Sequence, residues 1–192
     1  MKPQSLGKAV FLDRDGVLNE CRVLEGKPYP PEDAKSLCLT ADAPNALLRL
    51  KKAGFILICV TNQPDVARGT RTLENVQAMN EKVRIALPLD ALYVCLHDKG
   101  DGCACRKPQP GMLIRGMKEF DLIPASCFMI GDRASDIEAG RNAGCRSIFL
   151  SRGYTEPLPE PMAEYTCSTL SEAVDWILAQ PVPSFTTEAT HF

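Results

Sequence analysis

Residues 9–19 have the sequence AVFLDRDGVLN, in which an apolar run ends in two carboxylates and a glycine. In open α/β sheets, ligands and reacting groups lie at the carboxyl ends of the strands. Gly16 allows the chain to turn away sharply after such a strand. The pattern predicts that Asp13 and Asp15 lie at a sheet edge as a carboxylate nucleophile beside a second acid. Taken alone, the same stretch fits solvated loop acids or helix caps equally well.

The 192-residue chain has an ordinary globular composition, with 45% hydrophobic and 24% charged residues. A net charge of -2 and a pI near 5.8 argue against a broad nucleic-acid-binding surface. We find neither an apolar signal segment at the N-terminus nor an apolar run of membrane-spanning length. The nine cysteines include several inside apolar runs, so a disulfide framework is not expected. We therefore expect a soluble, cytoplasmic protein that binds neither nucleic acid nor membranes, and a small domain without a cap is expected to be a monomer.

Short apolar runs alternate with stretches of helical periodicity, which predicts an α/β fold with a mostly parallel sheet. One domain is expected over residues 1–180, with no large cap domain, and a flexible tail over residues 181–192. Residues 20–41 contain several prolines and are expected to form an irregular loop. Strands are predicted near residues 8–12, 55–60, 92–96, 127–131, 146–150 and 165–167, and helices near residues 42–53, 72–86, 110–121, 134–143 and 170–179.

Two other predicted strands also end in polar side chains. Thr61, Asn62 and Gln63 follow the second strand, where a hydroxyl, an amide and backbone N–H groups suit a phosphate oxygen. A capped turn is the alternative there. The run CFMIGDRASD over residues 127–136 brings Asp132 to a strand end as a candidate metal ligand. Asp136 fits a favourable charge in the first turn of a helix.

Three carboxylates at one sheet edge would repel one another unless a cation lay among them. Mg²⁺ suits Asp13, Asp15 and Asp132, because it takes oxygen ligands and bridges to phosphate. Thr61 and the adjacent cations of the Arg106-Lys107 pair complete the groups needed for phosphoryl transfer.

At these residues the chain resembles the haloacid dehalogenase (HAD) superfamily of phosphatases. Four motifs carry the resemblance, in the family's order: FLDRDG at residues 11–16, VTNQ at 60–63, CRKP at 105–108 and GDRASD at 131–136. The resemblance implies a HAD-like Rossmannoid three-layer sandwich. It also implies that Asp13 becomes an aspartyl phosphate and that Asp15 acts first as general acid and then as base.

Further roles follow from the same resemblance. Mg²⁺ would be held by Asp13, Asp132 and the backbone carbonyl of Asp15. Thr61 and Lys107 would stabilise the phosphoryl group. The remaining residues of the motifs are expected to bind substrate: Asn62, Gln63, Arg106 and Arg133.

A cysteine and histidine cluster lies between the second and third strand-end motifs. Cys95, His97, Cys103 and Cys105 have the spacing C-x-H-x5-C-x-C. Three thiolates and one imidazole complete a closed tetrahedral zinc site, which predicts a structural Zn²⁺ in the loop 95–105. Such an ion would fix the loop that carries Arg106 and Lys107. Unrelated cysteines in a loop are the alternative.

The zinc loop resembles the HAD branch that contains D-glycero-D-manno-heptose 1,7-bisphosphate 7-phosphatases and histidinol-phosphate phosphatases. The continuations Ala67-Arg68-Gly69 and PGML at residues 110–113 favour the heptose enzymes, in which Arg106 would contact the second phosphate and Arg133 a phosphate oxygen. The short gap between His97 and Cys103 favours the histidinol-phosphate enzymes, and CRVL at 21–24 and Pro64-Asp65 depart from the heptose pattern.

The resemblance therefore implies a Mg²⁺-dependent phosphatase acting on a small phosphorylated metabolite. Removal of the 7-phosphate of the heptose bisphosphate is the leading interpretation, and histidinol phosphate or another small phosphomonoester is the alternative. A non-catalytic, zinc-stabilised binding protein is a third hypothesis. It predicts the loss of an essential residue, whereas Asp13, Asp15, Lys107 and Asp132 are all present.

Overall fold

Six strands form a fully parallel central sheet in the computed structural model, which describes residues 7–181. In chain order the elements are β1 (Gly7–Leu12), β2 (Arg22–Leu24), β3 (Lys27–Tyr29), α1 (Ala43–Lys52), β4 (Ile56–Asn62), α2 (Leu73–Ala86), β5 (Ala91–Cys95), α3 (Gly111–Glu119), β6 (Leu122–Gly131), α4 (Ala134–Asn142), β7 (Arg146–Leu150), β8 (Tyr165–Cys167) and α5 (Leu170–Leu178). The strand order is β5-β4-β1-β6-β7-β8, and every neighbouring pair is parallel.

Both faces of the sheet are covered by helices. Val10 and Leu12 of β1 belong to one core, which α1, α2 and α5 close. Ala9 and Phe11 point to the opposite core, which contains residues of α3 and α4. Strands buried on both faces are continuous apolar runs, which is why they were visible in the sequence. The predicted three-layer α/β architecture is confirmed.

The connection between β1 and α1 corrects one expectation. Residues 20–41 were predicted to be irregular, but β2 and β3 pair there as an antiparallel hairpin. Glu25 and Gly26 turn the hairpin with φ angles of 49° and 74°, as a type I′ turn requires. Pro28 lies inside β3, and a proline argues against a strand when only the sequence is considered. The connection carries only this small hairpin, so no large cap domain is inserted there.

The other predicted elements are present, with ends that differ by a few residues. The largest difference is β6, which begins at Leu122 rather than near residue 127. Of the predicted tail over residues 181–192, all but Pro181 lies outside the described residues. Within residues 7–181, no helix combines the length and the apolarity needed to cross a lipid bilayer.

Candidate active site

The carboxyl ends of β1, β4 and β6 bring the predicted site residues together. β1 pairs with β4 on one side and with β6 on the other, so Asp13, Thr61 and Asp132 meet at one edge. The backbone N–H of Asp13 donates to the carbonyl of Ile130 at 3.0 Å, which continues the β1–β6 pairing into the site. The strand pairing therefore fixes the backbone positions of these residues.

Lys107 reaches this edge from the loop that follows the cysteine cluster. Its Nζ lies 2.7 Å from Asp13 Oδ1, 2.7 Å from Asp136 Oδ1 and 2.8 Å from the carbonyl oxygen of Val60. Burial alone would lower the pKa of Lys107, but the charges of Asp13 and Asp136 raise it above its ordinary value. The lysine is therefore a permanent cation in direct contact with the predicted nucleophile.

A buried acidic cluster surrounds this lysine. Carboxylate oxygens of Asp13, Asp132 and Asp136 all lie within 4.8 Å of one another. Burial, with the neighbouring acids, raises the pKa of Asp132 well above its ordinary value. Burial is also the main cause that raises the pKa of Asp13 to about 6.

The acidic cluster has the donor set that a hard cation needs. Both carboxylate oxygens of Asp132 are buried and have no hydrogen-bond partner of good geometry within residues 7–181, although the hydroxyl of Tyr154 lies nearby. Buried carboxylates without partners are costly, whereas Mg²⁺ binds such oxygens well. The residues present therefore fit the predicted metal.

Asp136 has a larger place in the site than the sequence indicated. Its Oδ2 accepts the backbone N–H of Arg133 at 3.1 Å, which is the expected role at the start of α4. Its Oδ1 also contacts Lys107, which the sequence analysis did not foresee. Gly131 allows this approach, because a Cβ there would overlap the Asp136 side chain.

Asp15 points into a separate, donor-rich pocket. Arg14 Nη2 donates to its two oxygens at 3.0 and 2.9 Å, Asn19 Nδ2 donates at 3.0 Å and Gln63 Nε2 at 2.8 Å. Burial would raise the pKa of Asp15, but the Arg14 charge and the hydrogen bonds from Asn19 and Gln63 lower it below its ordinary value. The pocket therefore favours the ionised carboxylate.

Arg14 is the main site residue that sequence reasoning missed. Its side chain is fully buried, and its Nη1 donates to Asn80 Oδ1 of α2 at 2.6 Å. Arginine is almost never fully buried unless it is paired, so a single sequence gives no reason to expect it inside. The one available signal was its position between Asp13 and Asp15.

Gly16 forms part of the wall of the acidic cluster. Its φ is +85°, a conformation that suits glycine, and a Cβ there would overlap the carboxylate of Asp132. The glycine therefore serves both the turn after β1 and the close approach of Asp132.

The second motif has more internal contacts than predicted. Thr61 Oγ1 accepts a hydrogen bond from Gln63 Nε2 at 2.9 Å, and both residues are buried. Asn62 Nδ2 donates to the carbonyl of Lys107 at 3.0 Å, and its Oδ1 accepts the Lys107 backbone N–H at 3.1 Å. Asn62 thus holds the main chain of Lys107, while Gln63 orients Asp15.

The four predicted zinc ligands form a compact cluster. The distances between sulfur atoms are 3.2 Å for Cys95–Cys105, 3.5 Å for Cys103–Cys105 and 3.8 Å for Cys95–Cys103. His97 Nδ1 lies 3.3 Å from the Cys105 sulfur and 3.6 Å from that of Cys95. A tetrahedral zinc with normal bond lengths separates its sulfur ligands by about 3.8 Å. The sulfur–sulfur distances are at or slightly below this value, and the four groups lie close enough together to hold one four-coordinate zinc ion.

A cleft of about 550 Å³ opens at this edge of the sheet. Asp13, Asp15 and Lys107 lie among its lining residues. The further cations that line it are Arg68, Lys99, Arg106 and Arg133. Arg133 Nη1 lies 3.1 Å from Glu156 Oε1, and Arg106 Nη1 donates to the carbonyl of His97 at 3.1 Å. The predicted substrate-binding arginines thus both face the cleft.

Comparison with known proteins identifies the family. A D-glycero-beta-D-manno-heptose-1,7-bisphosphate 7-phosphatase of Helicobacter pylori strain J99 is 34% identical over 176 residues, which cover 88% of this chain and 97% of the relative. A D-glycero-D-manno-heptose-1,7-bisphosphate 7-phosphatase of Thermosynechococcus vestitus is 32% identical, with 91% and 97% covered. The chain belongs to this phosphatase family. It is therefore a phosphoric monoester hydrolase, as the four motifs predicted.

A family model and a solved structure agree with this assignment. The model described as HAD-hydrolase-like matches residues 104–173. The crystal structure of D,D-heptose 1,7-bisphosphate phosphatase from B. bronchiseptica, complexed with magnesium and phosphate, superposes with a TM-score of 0.75. The two chains are 28% identical, and the match covers 89% of this chain and 98% of that one. The predicted HAD-like fold is confirmed.

Proposed function

We propose that the protein removes the 7-phosphate of D-glycero-D-manno-heptose 1,7-bisphosphate through an aspartyl phosphate on Asp13. The observation that carries the proposal is the contact of 2.7 Å between Lys107 Nζ and Asp13 Oδ1 inside the acidic cluster. A carboxylate that is paired with a buried cation, at a strand end whose acids can bind a metal ion, suits phosphoryl transfer. The names of the similar proteins support the choice of substrate.

In the first step, Asp13 forms a bond to phosphorus. Lys107 holds Oδ1 of Asp13, which leaves Oδ2 to attack the phosphoryl group while the bond from phosphorus to the sugar oxygen breaks. Lys107 and the Thr61 hydroxyl stabilise the charge on the transferred group. The leaving sugar oxygen takes its proton from the carboxyl group of Asp15.

Asp15 must hold a proton in the first step and accept one in the second. A phosphate dianion in the cleft raises the pKa of a neighbouring carboxyl group and so favours the protonated form. After the sugar leaves, the donors from Arg14, Asn19 and Gln63 favour the ionised form. Asp15 then accepts a proton from the water that attacks phosphorus and releases Asp13.

Metal ions complete the proposed site. Asp13, Asp132 and the backbone carbonyl of Asp15 would hold Mg²⁺, which neutralises charge on the phosphoryl oxygens when bound. Asp136 supports Lys107 from the other side. Cys95, His97, Cys103 and Cys105 would hold a structural Zn²⁺ that fixes the loop before Lys107.

The substrate is tested by a panel of phosphate esters. Phosphate release from both anomers of D-glycero-D-manno-heptose 1,7-bisphosphate is compared with release from histidinol phosphate and from simple sugar monophosphates. We expect kcat/KM for one heptose anomer to exceed that for histidinol phosphate by at least about a hundredfold, or roughly 2.7 kcal/mol of transition-state binding. A higher kcat/KM for histidinol phosphate would overturn the substrate assignment while leaving the phosphatase family in place.

A further inference from the structure

The cations of the cleft differ in how far carboxylates already neutralise them. Lys107 is paired with Asp13 and Asp136, and Arg133 with Glu156. Arg68 donates to the two carboxylate oxygens of Asp98 at 2.9 and 2.6 Å, and its Nη1 lies 3.9 Å from Asp65. A phosphate approaching Arg68 therefore also approaches these acids.

Two cations of the cleft are not neutralised in this way. Arg106 donates to the backbone carbonyl of His97 and forms no ion pair among the described residues, although the charge of Asp98 lies near enough to be felt. Lys99 forms no ion pair within residues 7–181, and its side chain is exposed. Both residues also line an adjoining space of about 440 Å³ beside the cysteine cluster. The loop between Cys95 and Lys107 thus supplies two cations of the cleft that form no ion pair within residues 7–181.

We propose that Lys99 acts with Arg106 to bind the second phosphate of the substrate and is a specificity-determining residue for bisphosphates. This inference rests on the proposed function, because it assumes a substrate with a phosphate group at each end. The cleft is one continuous space. Asp13 and Lys107 line one part of it, and Lys99 lines another. One phosphate therefore reaches Asp13 while the other contacts the two free cations.

The chemistry of the two cations suits a terminal phosphate. The planar guanidinium of Arg106 can bind two phosphate oxygens at once, and the three donors of the Lys99 ammonium can follow a group that rotates. Arg68 is a weaker candidate, since Asp98 already occupies its donors.

The test compares one pair of substrates across matched variants. Wild type, Lys99→Ala, Lys99→Arg and Lys52→Ala are assayed with heptose 1,7-bisphosphate and with heptose 7-phosphate, which lacks the second phosphate. Lys52 is also an exposed lysine. It ends α1 just before β4 begins, so it lies at the amino ends of the strands, away from the cleft, and serves as the control. The zinc content of each variant is measured in parallel, because Lys99 lies between two of the proposed zinc ligands.

We expect Lys99→Ala to lower kcat/KM for the bisphosphate by about tenfold, the effect of losing one charge-assisted hydrogen bond at a partly exposed site. The loss should appear in KM. In Lys99→Ala, kcat/KM for the monophosphate and the zinc content should equal those of wild type. Lys52→Ala should match wild type on both substrates. Lys99→Arg should recover most of the kcat/KM that Lys99→Ala loses on the bisphosphate. Raising the ionic strength from about 0.05 M to about 0.5 M should reduce the wild-type preference for the bisphosphate, because salt screens exposed charges.

The outcomes separate this inference from the proposed function. If wild type prefers the bisphosphate and Lys99→Ala keeps the same preference, Lys99 does not bind the second phosphate and only this inference fails. Equal losses on both substrates, or a loss of zinc, would assign Lys99 a structural role in the loop and also overturn it. If wild type shows no preference for the bisphosphate, both the inference and the proposed substrate are wrong.

Discussion

The acidic cluster (Asp13, Asp132 and Asp136) and the cysteine cluster (Cys95, His97, Cys103 and Cys105) are both candidate metal sites, but they are built differently. Asp13 and Asp132 follow paired strands from distant parts of the chain, Asp136 lies in the first turn of α4, and all three are buried. The cysteine cluster comes from one short stretch, in which only Cys95 belongs to a strand and His97 is exposed.

The difference concerns what holds each cluster in place. Strand pairing positions Asp13 and Asp132, helix α4 carries Asp136, and Lys107 already balances part of their charge. Of the cysteine cluster only Cys95 lies in a paired strand, so we expect its geometry to depend on bonds to the proposed zinc ion. Replacing an acid should therefore abolish catalysis while the fold persists. Replacing a cysteine should instead loosen the loop and lower activity indirectly, because Lys107 is then less well positioned.

The strongest test of the comparison is Asp13→Asn. Asparagine cannot form the aspartyl phosphate, so kcat should fall by at least about 10⁴-fold, as for other nucleophile variants. The fold should persist, since Lys107 keeps its contacts with Asp136 and the Val60 carbonyl. Phosphate release and thermal unfolding measure the two effects, with the exposed Asp121→Asn as the control. Turnover close to wild type would remove Asp13 as the nucleophile.

Cys103→Ser tests the other cluster and should have an intermediate effect. We expect zinc to fall from about one ion per chain towards none, because one of the four ligands of a closed site is lost. Activity should fall by roughly a hundredfold as the loop that positions Lys107 loosens. Metal analysis and kcat on the same preparations test this, with the exposed Cys38→Ser as the control. A zinc-free variant with full activity would show that the loop does not need the ion.

Asn62→Ala separates the positioning of Lys107 from the binding of zinc. Asn62 joins β4 to the main chain of Lys107 through hydrogen bonds of 3.0 and 3.1 Å. Their loss should lower kcat by about tenfold, since a hydrogen bond contributes about 1 kcal/mol, while the zinc content stays constant. Asn45→Ala on the exposed face of α1 is the matched control. An unchanged kcat would mean that the Asn62 hydrogen bonds do not position Lys107.

The sequence predicted the parts of the molecule that repeat a local pattern. Apolar runs ending in polar residues located the strand ends of Asp13, Thr61 and Asp132, and spacing located the cysteine cluster. It did not predict the β2–β3 hairpin, whose strands are short and contain Pro28. Such elements depend on contacts with the rest of the chain rather than on their own periodicity.

Partners that lie far away in the sequence were also missed. Arg14 is buried because Asn80 and Asp15 satisfy its donors, and Asp136 joins the site because Lys107 reaches it. No local pattern carries the Arg14–Asn80 or the Lys107–Asp136 pairing, since each joins residues from separate elements of the chain. The ion pairs that neutralise Arg68 and Arg133 are of the same kind, and only the structure distinguishes these arginines from Arg106.

The carboxylate of Asp132 occupies the volume in which a side chain at position 16 would stand. Gly16 thus contributes to the active site by leaving room rather than by offering a functional group. Residues of this kind escape searches that look for reactive atoms, yet they restrict the redesign of an enzyme as firmly as a nucleophile does. An effort to reshape this cleft for other phosphate esters should therefore vary the outer loops and leave the main chain between Asp13 and Gly16 unchanged.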